Sequence, residues 1–240
     1  GSPETKSAKF LVNTSYDMSE NVKTYANMAY MRKDVSSFAN FRVPFWQPTD
    51  YGLLTPAGSP YIGYGPTLKG ELRDYNATVG VKSTDFMGWI ADMSLTIGGN
   101  EQDYLVANTV NHTLGAQSPT KFYAGGVEFY HTVFNADVSK QITPKMNVYA
   151  GIEARWEKFN TLAGDEASYV GSGADSYAGN QPADSFDTKR NNYGFYLGTV
   201  YDFTDRLLVD VTGRYEHYSD FGSAVVGKLS SRFKLNDKVT

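Results

Sequence analysis

The sequence predicts an all-β protein, an antiparallel up-and-down β-barrel whose strands cross a membrane. The first observation is a set of unusually long runs in which apolar and polar residues alternate. Around position 210, for example, Val209 and Val211 point to one side of an extended chain, whereas Asp210 and Thr212 point to the other. The second observation is that short turns and long connections alternate along the chain.

Nine segments have the alternation and the Val, Tyr, Thr and Phe content of strands, and none has helical periodicity for long enough to predict a helix. Eight of them form four predicted hairpins, and the ninth follows a short turn. The predicted strands cover about residues 7–17, 21–34, 73–83, 87–98, 126–140, 145–158, 190–203, 206–218 and 223–235.

The length of these runs separates two possible all-β folds. A two-sheet sandwich also alternates, with its apolar side facing inward. Crossing hydrocarbon, however, takes about ten tilted residues, which is longer than the usual strand of a sandwich. Aromatic residues near the ends of the runs, such as Trp89, Trp156 and Tyr193, fit the aromatic girdles of a membrane barrel.

The connections show the same asymmetry. Turns within the predicted hairpins are short, whereas the links over about 35–72, 99–125 and 159–189 are long. Long loops at one end and short turns at the other are typical of outer-membrane barrels, with the long loops outside the cell and the short turns in the periplasm. In a compact soluble domain such loops would count against the strand assignment.

Composition excludes several classes. The chain has 240 residues and a formal net charge of -4, so it lacks the basic surface that a nucleic-acid partner requires. The absence of Cys excludes disulfides, thiolate metal sites and a cysteine nucleophile. Mean hydropathy is -0.42 and no apolar run approaches twenty residues, which argues against a transmembrane helix but not against alternating strands. Both termini have the character of cuts, and we expect a fragment.

Four segments resemble TonB-dependent outer-membrane receptors. "GRYEHYSDFGSAVVGKLSSRFKLNDKVT" is similar to the late part of their barrel, in which an R-Y-E-x-Y-S-D-F-G-S hairpin precedes a G-K-x-x-x-R strand. "AGIEARWEKFNTLAGDEASY" resembles the G-x-E-x-R-x-E strand that leads into an extracellular loop, and "KFYAGGVEFYHTVFNADVSK" and "NNYGFYLGTVYDFTDRLLVD" fit the strands around it. The resemblance covers most of residues 121–240 and, more loosely, the earlier hairpins.

The resemblance implies a location, a fold and a set of partners. Such receptors have an N-terminal TonB box and a plug inside a barrel of about 22 strands. This sequence shows neither the box nor the plug, so residues 1–240 are expected to form about nine strands of that barrel. The implied partners are outer-membrane lipid, the TonB complex through the missing N-terminal region, and a small-molecule or oligosaccharide ligand. The implied location is the bacterial outer membrane, and no cofactor and no enzymatic reaction are implied.

Residues with the chemistry for catalysis or metal binding are sparse. His217 precedes Ser219 and Asp220, but residues at this spacing do not form a catalytic triad by themselves, and a polar hairpin at the barrel rim is the favoured interpretation. No zinc-site spacing is present around the three His residues. An acidic loop offers oxygen ligands for calcium but lacks EF-hand spacing, and we expect a mobile polar loop. Its carboxylates are Asp165, Glu166, Asp175, Asp184 and Asp187.

Two groups of residues are candidates for contact with a solute. On the predicted lumen face, opposed charges either line the solute route and contact the plug or form a self-paired, solvated wall; they are Glu153, Arg155, Glu157, Asp210 and Arg214. In the first long loop, aromatic rings lie among prolines that stiffen the chain. These rings either stack on a ligand such as a sugar or an aromatic siderophore group, or pack on one another. They are Phe41, Phe45, Trp46, Tyr51, Tyr61 and Tyr64.

The leading functional hypothesis is uptake of a scarce solute, namely a ferric siderophore, cobalamin or an oligosaccharide, by a TonB-dependent receptor. A passive porin is the first alternative, and a secreted β-sandwich that binds carbohydrate is the second.

Overall fold

A computed structural model of the chain describes residues 2–235, and within them nine strands form one antiparallel sheet. Each strand pairs with its neighbours in sequence, so the order in the sheet is β1 to β9. No helix among these residues is both long enough and apolar enough to cross a membrane. The strands are β1 (Glu4–Asp17), β2 (Val22–Phe38), β3 (Thr67–Phe86), β4 (Trp89–Ala107), β5 (Lys121–Thr143), β6 (Met146–Leu162), β7 (Asp187–Thr204), β8 (Leu207–Tyr218) and β9 (Gly222–Phe233).

The nine predicted strands are confirmed, but their predicted bounds were too narrow at one end of the sheet. The long connections are 39–66, 108–120 and 163–186, shorter than the predicted loops 35–72, 99–125 and 159–189. β3 to β5 continue beyond the point where outward apolar residues give way to charged residues, so the alternation that signals a half-buried strand is lost while the ladder of hydrogen bonds continues. The end of the 213–240 segment lies outside the described residues.

The pairing register divides the sheet into two chemically different faces. On the apolar face, Met93, Ala136, Ile152 and Phe195 lie side by side across β4 to β7. These side chains are not enclosed, because Ile152 is 48% exposed and Leu229, on the same face of β9, is 74% exposed. The sandwich alternative is therefore wrong: the described residues form one sheet whose apolar face is left uncovered.

Buried residues instead gather at the end of the sheet that carries the long connections, here called the long-loop end. Val106, Phe122 and Ala124 are almost completely buried there, as are Val110 and Ala174 of the loops. We call these five residues the rim core. It is a small core between loops and strand ends, and it gives the loops a fixed base.

Three tyrosines on the polar face each cross a neighbouring strand at a glycine. Tyr149 of β6 passes over Gly198 of β7, and its hydroxyl donates a 2.5 Å hydrogen bond to Asp210 of β8. Tyr196 passes over Gly151 in the same way and donates to Asp137 at 2.5 Å. In the third case, Tyr25 of β2 passes over Gly80 of β3, and its hydroxyl donates a 2.7 Å hydrogen bond to Asp92 of β4. Each glycine leaves the space that the ring occupies, so each tyrosine ties three strands together.

This packing gives a prediction about two glycines. In Gly198→Ala the new methyl group would overlap the Tyr149 ring, and we expect a loss of about 1–3 kcal/mol in the free energy of unfolding. Gly227→Ala is the matched control, because no heavy atom lies within 4 Å of the added methyl group, and its stability should be unchanged or higher by up to about 1 kcal/mol. Urea titration of the micelle-inserted protein measures both. Equal effects of the two substitutions would contradict the three-strand packing.

Candidate functional site

The three long connections meet at one half-buried carboxylate, that of Asp175 in loop 163–186. Arg42 of loop 39–66 binds it through both oxygens, with Nε 2.8 Å from Oδ2 and Nη2 3.2 Å from Oδ1. The Tyr64 hydroxyl donates to Oδ2 at 2.8 Å. His112 of loop 108–120 lies with Nε2 3.0 Å from the Tyr64 oxygen, and since the Tyr64 hydrogen goes to Asp175, this nitrogen is the donor. We call Arg42, Tyr64, His112 and Asp175 the loop latch.

The electrostatics of the latch favour an ionised Asp175. Burial alone would raise the pKa of Asp175, but hydrogen bonds from Arg42 and Tyr64 and the positive charge of Arg42 outweigh it, so the pKa lies below its usual value. Burial and the neighbouring carboxylate raise the pKa of Tyr64. The tyrosine therefore stays protonated and continues to donate its hydrogen bond at physiological pH.

Hydrogen bonds to the backbone also join loop 108–120 to loop 163–186 around the latch. Thr109 Oγ1 donates to the Asp175 carbonyl at 2.8 Å, and the Asp175 amide donates to the Val110 carbonyl at 3.0 Å. Asn111 is fully buried, and its Nδ2 donates to the carbonyls of Ala167 and Val170, both at 2.8 Å. The acidic loop thus makes defined contacts, with a helical turn, α1 (Glu166–Tyr169), in contact with β5.

A second carboxylate, that of the buried residue Asp50, orders the middle of loop 39–66. Asp50 accepts hydrogen bonds from the backbone amides of Gly52, Leu54 and Thr55 at 2.9, 3.0 and 2.6 Å. The Thr55 hydroxyl adds a fourth at 2.7 Å. Burial opposes ionisation here too, but these four donors lower the pKa of Asp50. This half of the loop is therefore held by a charge inside its own turn.

The six aromatic residues of this loop fall into two groups. Tyr64 is only 5% exposed and belongs to the latch, Tyr61 is half-buried with its hydroxyl donating to the Gln47 carbonyl at 2.6 Å, and the Tyr51 hydroxyl donates to the His112 carbonyl at 3.3 Å. Phe45 and Trp46 are 98% and 60% exposed, and Phe41 is also exposed. Three rings thus support the loop, while Phe41, Phe45 and Trp46 form an exposed aromatic tip.

The polar face carries a chain of ion pairs below the long-loop end. Arg214 bridges to Glu153 at 3.5 Å, Glu153 to Arg155 at 3.1 Å, and Arg155 to Glu157 at 3.6 Å. Glu157 in turn binds Arg190 at 2.7 Å. Four of the five charged residues predicted for the lumen are therefore brought together. Asp210 is the exception, because it lies lower on β8 and bonds to Tyr149.

The remaining chemical candidates do not form a site. His217 Nδ1 lies 2.9 Å from Ser223 Oγ, whereas the Ser219 hydroxyl oxygen accepts a hydrogen bond from the Asn191 amide. Among the carboxylates of the acidic loop, Asp187 pairs with Lys158 at 2.8 Å and Asp165 accepts from the Tyr123 amide at 3.1 Å. Within residues 2–235 no three acidic or His side chains gather as metal ligands would.

Comparison with protein families identifies the fold. The sequence model of the family described as "TonB dependent receptor-like, beta-barrel" matches residues 13–240. Comparison with curated protein sequences finds no match. The family match favours a receptor barrel over the passive porin.

Solved structures of low sequence identity share the fold. The siderophore receptor PirA from Acinetobacter baumannii superposes with a TM-score of 0.62 at 13% identity, over 99% of this chain and 32% of that one. The FpvAI–pyocin S2 complex gives 0.64 at 13% identity over 98% and 35%, and the RagAB peptide transporter gives 0.60 at 12% identity over 98% and 30%. The chain thus spans about a third of the length of these proteins.

The latch predicts how one carboxylate controls the loops. Asp175→Asn removes the charge that holds Arg42 and Tyr64, and we expect hydrogen exchange of backbone amides in 39–66 to accelerate by about tenfold or more, since a hydrogen bond to a charged group contributes about 1.5–3 kcal/mol. The matched control is Asp184→Asn, an exposed residue of the same loop. If both variants exchange at the same rates, Asp175 is not what holds the loops together.

The latch also predicts a dependence on pH. A carboxyl with a lowered pKa in the folded state contributes stability that is complete above the unfolded value, about 3.9 for Asp, and is lost as the pH falls through the folded value. Because the pKa of Asp175 is lowered, protection of 39–66 should stay constant from pH 7 to about 5 and fall only below about pH 4. Hydrogen exchange, corrected for its intrinsic pH dependence, tests this. Loss of protection near pH 6 would instead assign the control to a histidine.

Proposed function

The chain belongs to the family of TonB-dependent receptor β-barrels, and on this premise we propose that it forms part of the wall of a receptor in the bacterial outer membrane that imports a scarce solute. The observation that supports this best is the division of the sheet into an uncovered apolar face and an ion-paired polar face. Such a sheet fits a wall between hydrocarbon and an enclosed polar interior. Placed in water, the same face would be an unusually large apolar surface.

Aromatic pairs on the apolar face support the membrane location. Near the long-loop end, Trp156 and Tyr193 pack edge to face with ring centroids 6.3 Å apart. Near the opposite end, Tyr201 and Phe203 are 4.8 Å apart. Aromatic rings at two levels match the two interfaces of a bilayer, where an amphipathic ring is favoured.

The polar face is proposed to line the lumen. Its chain of ion pairs from Arg214 to Arg190 is half-buried in the open sheet and still reached by water. Ion pairs in contact with water contribute little to stability. Enclosed by the remaining strands and a plug domain, the same groups would hydrogen-bond the plug or the passing solute with less competition from water. The TonB complex would act through the N-terminal region of such a receptor.

The aromatic tip is proposed to capture the solute. Phe41, Phe45 and Trp46 are exposed on a loop whose base is held by the latch and by Asp50, so the rings are presented without a large cost of ordering the loop. Stacking on these faces suits an aromatic siderophore group or a sugar ring. The Arg42 guanidinium, 5.7 Å from the Trp46 ring centre, adds positive charge beside the tip. We therefore favour a ferric siderophore, with cobalamin and an oligosaccharide as the other classes.

No step of this function is chemical. The proposed role is to bind and admit a solute, with the energy supplied through TonB, and the groups described above bind and support rather than react. We accordingly assign no catalytic residue and no cofactor.

The experiment is uptake by cells that produce the whole receptor, with a radiolabelled ferric catecholate, cyanocobalamin and maltohexaose as probes. We expect Phe45→Ala combined with Trp46→Ala to reduce the affinity for one of these probes by about tenfold, because each lost stacking contact contributes about 0.5–1.5 kcal/mol. Phe45→Tyr combined with Trp46→Tyr keeps the rings and should retain uptake.

Two results would contradict the proposal in different ways. Uptake that continues in cells lacking TonB would identify a passive channel. Uptake that needs TonB but is unchanged by the Ala substitutions would leave the receptor in place and exclude the aromatic tip as the capture site.

A further inference from the structure

The apolar face has a groove near the end that carries the short turns. The groove has a volume of about 610 Å³ and is lined by residues of β2 to β7. In one row across the sheet, Ala136 stands between Met93 and Ile152, and in the next row Ala150 stands beside Val138. Because small side chains lie between larger ones, the surface has an open channel a few methylene groups wide. This surface is proposed to face hydrocarbon.

A cation lies just below this groove on the same face. Lys140 follows Val138 by two residues on β5, and its Nζ is 5.5 Å from the centre of the Trp89 ring. Within residues 2–235, no carboxylate oxygen lies within 4.0 Å of this ammonium group. The nearby Asp85 lines the groove, and its Oδ1 accepts a hydrogen bond from the Gly88 amide at 2.8 Å.

The position of Lys140 fits a membrane interface. A lysine stem packs along apolar surface while its ammonium group reaches the polar head groups, and tryptophan prefers the same level. In this family architecture the short turns lie in the periplasm, so Lys140 would lie at the inner leaflet of the outer membrane.

We propose that the groove and Lys140 together bind one phospholipid of the inner leaflet, with an acyl chain in the groove between Met93 and Ile152 and the phosphate against the Lys140 ammonium. The inference rests on the membrane location proposed above. Two features favour a phospholipid over a protein partner. The groove continues into the apolar band around it, as an acyl chain requires. It also ends at the positive charge of Lys140, which lies at the level where the phosphate of a head group would lie. Because a strand rises about 3.4 Å per residue, Ala136 lies roughly 13 Å from Lys140 along β5. This distance is well within the length of an acyl chain.

The test is native mass spectrometry of the whole receptor, extracted in a mild non-ionic detergent and titrated with dioleoylphosphatidylglycerol. We expect one lipid to be retained at low lipid concentration, and Lys140→Gln to weaken its binding about tenfold. Lys145→Gln is the matched control, because Lys145 is an exposed cation in the turn that follows the same strand. Dioleoylglycerol, which lacks the phosphate, should bind no better to the unmodified protein than to Lys140→Gln.

The groove is tested separately by two alanines of β6 on the same face. Ala150→Leu fills the groove and should weaken retention about as much as Lys140→Gln, whereas Ala154→Leu lies outside it and should not. Equal loss in Lys140→Gln and Lys145→Gln would reveal general attraction between cations and the lipid and would overturn the site. Sensitivity to Lys140 with no sensitivity to Ala150 would also overturn it, because the acyl chain would then lie elsewhere.

Failure of this inference can be distinguished from failure of the proposed function. A barrel that is correctly inserted, as shown by its heat-modifiable electrophoretic mobility, and that imports solute but retains no phospholipid contradicts only the lipid site. A protein that never inserts into the outer membrane contradicts the receptor and with it the lipid site.

Discussion

The structure depends on an unbroken antiparallel ladder from β1 to β9, in which every strand pairs with its sequence neighbour. Such a ladder satisfies the backbone hydrogen bonds of all interior strands without help from water, which is the condition for placing strands in hydrocarbon. It also fixes alternate residues on opposite faces, so that a single register gives both the apolar band and the ion-paired face. A slip of one residue would exchange Ile152 and Glu153 between the two environments.

The same ladder explains why, within residues 2–235, the buried apolar side chains lie mainly at the long-loop end. A single sheet has no second layer to pack against, so Ile152 and Leu229 remain exposed, and in the proposed wall lipid would cover them. Where the strands extend beyond the apolar band, the connecting loops fold back and enclose Val106, Phe122 and Ala124. In the proposed wall, hydrocarbon would therefore surround the middle of the sheet, whereas the rim has a small protein core. We assign the proposed capture of a solute to the rim, because the loops there fold into a surface held by the chain's own contacts.

How much of the fold and of the candidate site could be predicted from sequence depends on how far apart in the chain the residues of each pattern lie. Alternation is local, so all nine strands and both faces could be predicted, including the positions of Glu153, Arg155 and Arg214. Strand ends could not, because on β3 and β4 the outward positions change to charged residues such as Arg73 and Glu101, which pair with each other at 3.3 Å while the ladder continues. The latch was missed for a different reason. Arg42 and Asp175 are 133 positions apart, and neither lies in a local pattern that names its partner.

The latch has a further consequence for the aromatic tip. Besides its backbone turns, loop 39–66 has a single bridge, between Arg42 and Tyr64. Those two residues are also the ones that hold Asp175, which means that the bridge and the latch form or break together. Phe45 and Trp46 lie just beyond the bridge, so a ligand that stacks on them while contacting Arg42 would act on the same residues that join the three loops. The proposed capture of a solute would thereby be coupled to the arrangement of the rim, through contacts that exist before the solute arrives.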